Sequence, residues 1–253
     1  LKNCTATLIR SNDIAQDGEL VGKLENTGAV HAKDTLPDQI AAQLRRDILN
    51  GKFAPGTTIK ERDNALDMGV SRTPMREAIR ILANEGLVVL RPARSPIVAE
   101  PSFKQIADNI EVLTALELLS ADLACQNASD AQIAHIVALN DRFASVYDSL
   151  DRVELFELDM GFHIAIAEAS NNAVLAETHR AILARMWRAR FLSARRKTSR
   201  GRVLTQHNLI TDGLKHRDAQ RVRVNLQDHL EHLLVNVRDY FEDANAKSAA
   251  TVG

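Results

Sequence analysis

From Ser102 to about residue 243, apolar residues return every three or four positions, and nothing in that stretch alternates as a half-buried strand does. The spacing predicts helices over about 103–126, 130–149, 152–169, 172–195, 201–216 and 218–243, with Ser102, Ser129 and Asp218 as caps. Amphipathic helices joined by short connections can hide their apolar stripes only against one another, which makes an antiparallel bundle. A chain of 253 residues, 45% hydrophobic and 26% charged, holds enough apolar material for a second core besides. The fold class expected is therefore mainly α.

The second core lies upstream. A first helix should start near Pro37, a first-turn residue, and run through Ile40, Ala41, Leu44 and Ile48 to stop at Asn50-Gly51. A short helix over about Glu61 to Met68 and a turn at "MGVS" lead to a third helix capped by Ser71, with Pro74 in its first turn. After Gly86 the period changes: "LVVL", a turn at "RPARSP" and "IVAE" read as a two-stranded hairpin. Three helices and a hairpin describe a winged helix-turn-helix. The expected organisation is an unpatterned, flexible arm at 1–35, the winged helix at 36–100, the bundle at 101–243 and a flexible tail at 244–253.

Net charge is −1, so no global field advertises a nucleic-acid partner, but residues 71–94 hold five Arg against two Glu. At about 100° per residue, Met75, Ala78, Ile79 and Leu82 share one face of the third helix, while Thr73, Arg76 and Arg80 project from an adjoining one. That second face, with Arg72 at its start, can enter a major groove, where a guanidinium makes a bidentate contact with guanine or phosphate. Cys4 and Cys125 form no disulfide framework, and no apolar stretch has the length of a signal core or a membrane span. A reducing, cytoplasmic location is expected, with no membrane partner.

In the bundle, "LFELDMGFHIAIA" sets Asp159 and His163 four residues apart on a face shared with Leu155, Phe156, Phe162 and Ile166. His207 shares its face with Val203, Ile210 and Leu214, and His229 with Val222, Leu226 and Leu233. If the last two helices turn near Arg217, these histidines stand about 15 and 18 Å up their rods, within one helical turn of each other. One carboxylate and three imidazoles suit a divalent ion such as Zn, Ni or Mn. His232 reads as a surface residue and His216 as part of the turn. His179, set among Leu175, Ala176, Ile182 and Leu183, is a rival ligand that periodicity alone leaves open.

The stretch "LRRDILNGKFAPGTTIKERDNALDMGVSRTPMREAIRILANEGLV" resembles the DNA-binding domain of the GntR family of bacterial transcription regulators over about residues 37–99. By that resemblance Arg62, Arg72, Thr73 and Arg76 fall on DNA-contact positions, and the wing tip near Arg94 and Ser95 reaches the minor groove. Asn64 stands where the family has an apolar residue, and Ser95 where the wing has Gly. Residues 103–240 resemble the all-helical FCD effector domain of the FadR subgroup, which implies Asp159, His163, His207 and His229 as the metal ligands. The same resemblance implies a homodimer on a pseudo-palindromic double-stranded operator, a repressor that responds to a small organic acid or related metabolite. Leu113, in "EVLTALE", replaces the family's arginine near the effector pocket, which leaves Arg185, Arg188 or Arg190, with His179, as effector contacts. Two other readings compete: a metalloenzyme fused to a DNA-binding module, for which no base or nucleophile stands beside the four ligands, and a regulator whose metal is structural or is itself the signal.

Overall fold

The structure, a computed structural model, describes residues 35–195 and 200–252, without side chains at 193–195 and 244–252. Residues 1–34, which make up nearly all of the expected arm, lie outside the described residues. Helix α1 (Leu36–Leu49) opens with Pro37 in its first turn and with Asp38 accepting from the Thr35 backbone N–H at 3.0 Å. It buries Ile40, Ala41, Leu44 and Ile48 against α3 (Arg72–Asn84), whose Met75, Ala78, Ile79 and Leu82 are all at most 1% exposed. Between them α2 (Glu61–Asp67) ends at Gly69, whose φ of +66° makes the tight turn that a side chain would strain. Strands β1 (Val88–Arg91) and β2 (Arg94–Val98) pair antiparallel, with Val88 opposite Val98 and Arg91 opposite Arg94. The Ile59 N–H donates to the Pro96 carbonyl at 2.8 Å, tying the loop before α2 to the hairpin. This is the winged helix-turn-helix.

The bundle follows as α4 (Phe103–Asn127), α5 (Asp130–Val146), α6 (Arg152–Ala169), α7 (Ala173–Arg185), α8 (Trp187–Arg195), α9 (Arg200–Lys215) and α10 (Ala219–Val252). Ser102 and Ser129 close capping boxes with Gln105 and Gln132, and Asp218 Oδ1 accepts from the Arg221 N–H at 3.0 Å. The single helix expected over 172–195 is two. It breaks at Met186, whose N–H turns back to the Leu183 carbonyl at 3.0 Å. A one-residue tightening of this kind leaves the apolar spacing nearly in phase, so the period runs through the break unmarked. The backbone stays helical to Val252 through the stretch expected as a tail, where "ANAKSAA" is rich in the best helix former.

Helix α4 packs on α10, α6 and α7, and α9 lies along α10 and α5. One apolar cluster gathers Ile110, Leu113, Phe156, Met160 and Leu230, and a second gathers Ile136, Phe162, Ile166, Ile210 and Leu226. The α9–α10 hairpin is drawn tight at Gly213, where a Cβ would lie 2.7 Å from Val222 Cγ2 and 3.2 Å from the Val222 backbone nitrogen. Because backbone is among the obstacles, Gly213→Ala should cost about 1–3 kcal/mol by forcing the two helices apart. A calorimetric melt checks this, and an unchanged melting temperature would show that the hairpin has room to spare.

The winged helix is seated on the bundle. Leu49, at the end of α1, is buried within the first bundle cluster. The Arg45 guanidinium lies 4.9 Å over the Trp187 ring and pairs with Glu85 at 2.5 Å. Arg46 faces Asp151, Glu154 and Glu157 of the first turns of α6 at 3.5, 3.7 and 3.3 Å.

Candidate metal centre and nucleic-acid interface

Asp159 and His163 come from consecutive turns of α6, His207 from α9 and His229 from α10. One ligand atom from each lies within 4.8 Å of all the others. The imidazole centroids stand 5.2 Å apart for His163–His229 and His207–His229, and 5.9 Å apart for His163–His207. Opposed donors around a first-row ion lie about 4.2 Å apart at ordinary bond lengths, so small side-chain rotations close the set. The polar atoms fit such a role. His207 is fully buried, stacked on Phe162 at 4.4 Å, and neither of its ring nitrogens has a hydrogen-bond partner among the described residues. Its Nε2 stands 3.3 Å from Asp159 Oδ1, which is likewise unpartnered because the pair is out of hydrogen-bonding alignment. A neutral imidazole carries one lone pair and one N–H; an ion would take the lone pair of one His207 nitrogen, and the N–H of the other has no acceptor among the described residues.

Neighbouring groups orient the other imidazoles. His163 Nδ1 lies 2.9 Å from Glu117 Oε2, and His229 Nδ1 lies 3.2 Å from Gln206 Oε1; an N–H donated there leaves the lone pair on each Nε2, which at His163 accepts from Arg190 Nη2 at 2.9 Å. Burial depresses the basicity of His163, although Glu117 pulls the other way. His229 is pushed well below the usual histidine range, first by burial and then by His163 and His207. Both imidazoles are thereby kept neutral, as a ligand must be. Burial disfavours the Asp159 carboxylate, but His207, His163 and Arg190 together outweigh it and hold the group well below the usual carboxylate range.

His179, the rival, stands outside the ligand set. It is fully buried on the far side of Glu117, with Nε2 3.4 Å from Glu117 Oε1. His232 is half-exposed, and its Nδ1 reaches only its own helix, at the Asp228 carbonyl. Of the three arginines expected near the effector, Arg190 alone is at this centre. It is 5% exposed, with Nη2 2.9 Å from His163 Nε2 and 3.5 Å from Asp159 Oδ2, and Nη1 3.6 Å from Glu117 Oε1. Arg185 and Arg188 line a cavity at the junction with the winged helix instead. Leu113 is wholly buried in the apolar core.

Sequence reasoning passes over Glu117. It is 3% exposed and is held well below the usual carboxylate range, burial being outweighed by His163, His179 and Arg190. The signal was present, since Glu117 interrupts the stripe of Ile106, Ile110, Leu113, Ala121 and Ala124, just as Asp159 interrupts its own.

On the winged helix, Arg62, Arg72, Thr73, Arg76, Arg94 and Ser95 are all exposed. Arg76, Arg80, Arg91 and Arg94 line one cleft between α3 and the hairpin. Arg76 Nε donates to Glu61 at 2.8 Å, and Arg80 pairs with Glu77 on its own helix. Arg91 closes the wing by donating twice to the Ser95 carbonyl. Arg62, Arg72 and Arg94 form no ion pair among the described residues. Asn64, half-buried, returns its amide to the Lys60 carbonyl at 2.9 Å and so satisfies itself within α2.

Residues 36–98 match the family described as "Bacterial regulatory proteins, gntR family", and residues 108–232 match the "FCD domain". The chain is 30% identical over 202 residues to the HTH-type transcriptional repressor RspR of Escherichia coli K12, covering 79% of this chain and 88% of that one. It is also 30% identical over 189 residues to the Nta operon transcriptional regulator of Aminobacter aminovorans, covering 74% and 89%. Among solved structures, E. coli McbR/YncC superposes with a TM-score of 0.70 at 22% identity, covering 82% of this chain and 99% of that one. A GntR regulator from Rhodococcus sp. RHA1 superposes with a TM-score of 0.65 at 23% identity, covering 80% and 97%. These structural likenesses speak for the fold alone.

Proposed function

Since the chain belongs to the gntR family of bacterial regulatory proteins and carries an FCD domain behind its winged helix, we propose that it is a metal-containing sensor of a small organic acid that represses transcription by binding an operator as a homodimer. The relatives it matches are transcription regulators, not enzymes, and the chain is a DNA-binding regulator of that kind. Repression is carried over from RspR. Among the described residues no helix is long and apolar enough to cross a membrane. The working units are the winged helix at 36–100 and the effector domain at 101–243.

The observation that carries the sensor reading is Arg190, a buried guanidinium against the Asp159, His163, His207 and His229 set. Those four residues would hold the ion, with Zn first and Ni or Mn next by donor type. The ion would supply an electrophilic position for an acidic ligand. With an ion on His163 Nε2, Arg190 would be without its shortest hydrogen bond and could donate to the ligand's carboxylate, the task that Leu113 does not perform. Two helices lead from this site to the DNA-binding domain. Helix α6 holds Asp159 and His163 and also the carboxylates that face Arg46; helix α8 holds Arg190 and, three residues earlier, Trp187 under Arg45. A ligand that prefers one setting of these helices alters the spacing of the two recognition helices. In that dimer Arg72, Thr73 and Arg76 read the major groove, Arg62 takes phosphate, and Arg94 with Ser95 enters the minor groove.

The test is anisotropy of an operator selected from random duplexes, with metal-loaded protein and a panel of small carboxylic acids. At least one acid should lower operator affinity of the wild type and leave Arg190→Gln unaffected. An equal response in both proteins would remove Arg190 from the sensor. Release of DNA by chelation, with no response to any acid, would favour the reading in which the metal itself is the signal.

A further inference from the structure

Four arginines line the seam between winged helix and bundle, and they differ in their company. Arg45 and Arg46 are neutralised by Glu85 and by the α6 carboxylates. Arg185 and Arg188 make no hydrogen bond or ion pair among the described residues. They flank the break at Met186 and line one cavity of about 270 Å³, whose remaining walls include Leu87 of the winged helix, Ile106 of α4, and Tyr240 and Phe241 of α10. Arg188 and Tyr240 also line an adjoining cavity of about 370 Å³ against the end of α1. Glu100, the one carboxylate among the lining residues described, is exposed and pairs with neither arginine.

We propose that this seam cavity is a second ligand site, separate from the metal centre, for a small carboxylate with an apolar body. The two guanidiniums supply the forked donors that a carboxylate takes. The Tyr240 hydroxyl adds a further donor, and Leu87, Ile106 and Phe241 give the apolar body a wall to cover. The volume is at the small end of ligand pockets, which selects a short aliphatic or aryl-alkyl acid over a bulky one. Its walls come from both domains, so an occupant sets the angle at which the winged helix rests on the bundle. The site needs neither the ion nor Arg190.

Trp187, the chain's single tryptophan, stands between Arg185 and Arg188 in sequence and under Arg45 in space, so its emission reports on the seam. Full-length protein is titrated with hexanoate and phenylacetate, with hexanol and 2-phenylethanol as uncharged counterparts and inorganic phosphate as an anion without an apolar body. At least one of the two acids should shift Trp187 emission saturably, and the alcohols and phosphate should not. The Kd should rise about tenfold or more in Arg188→Gln and in Arg185→Gln, and far less in Asp159→Asn. Arg185 is exposed and Arg188 half-buried, so both variants should fold, which a melt verifies. Three results would overturn the proposal: no saturable shift with either acid, binding unchanged in the double arginine variant, or binding lost in Asp159→Asn while the arginine variants bind as the wild type does. Phosphate binding as tightly as the acids would overturn the assignment to an apolar-bodied carboxylate.

Discussion

His207→Ala is expected to purify with little or no stoichiometric metal, whereas His232→Ala and His179→Ala keep theirs. The loss should exceed the tenfold to hundredfold that removal of an outer-shell partner typically costs, because a donor itself is gone. His207 is the sharpest choice of the four. Neither of its nitrogens has a hydrogen-bond partner among the described residues, so an ion would give its lone pair the partner it lacks. Elemental analysis of the purified variants reads metal content. Melting before and after chelation reads the same event through stability, since an ion held only by the folded state raises its melting temperature. Wild-type protein should therefore lose stability on chelation, and His207→Ala, already without the ion, should not. Metal lost from His179→Ala and kept in His207→Ala would move the ligand set to the far side of Glu117. A wild type that neither contains nor responds to Zn, Ni or Mn would end the metal reading and leave the two His207 nitrogens without explanation.

Arg76→Ala should weaken specific operator binding by about 1–3 kcal/mol while the protein melts within a degree or two of the wild type. The fold is expected to tolerate the change because the ion pair with Glu61 is half-exposed, and such pairs contribute about 1 kcal/mol or less. If Arg76 makes the proposed groove contact, a base or phosphate would take the place of the Glu61 carboxylate. Glu61→Gln should accordingly leave specific binding in place. Anisotropy on a selected operator, repeated over a salt series, separates a base contact from a phosphate contact, since only the latter lowers the salt slope by about one. Unchanged affinity in Arg76→Ala would rule out the groove contact.

Much of this was readable before any coordinates, because periodicity reports the face on which a residue sits. Met75, Ala78, Ile79 and Leu82 are buried as their spacing requires, and Asp159, His163, His207 and His229 converge because their faces and heights do. Periodicity does not report which neighbour a face meets. His179 faces inward as surely as His207 does, yet it meets Glu117 and not the other imidazoles. Arg185, Arg188 and Arg190 lie within six residues; the first two line the seam, and the third meets His163 in the candidate metal cluster. The break at Met186 needs only one tightened turn, too small a perturbation to disturb a pattern of hydrophobic residues. Glu117 is legible by the same rule as Asp159, a carboxylate set on an apolar stripe, although the period does not say that it meets two imidazoles.

Arg46 gives the joint between the domains a shared anchor. Asp151, Glu154 and Glu157 stand three residues apart along α6, so each is about 4.5 Å further up the helix than the one before. The guanidinium meets all three at nearly equal distances, 3.5, 3.7 and 3.3 Å. An ordinary one-to-one salt bridge ties a single point to a single point; here one guanidinium is shared among three carboxylates spread over two turns of α6. The loss of any one of the three would leave two partners in place, so this contact between the domains does not hang on a single pair.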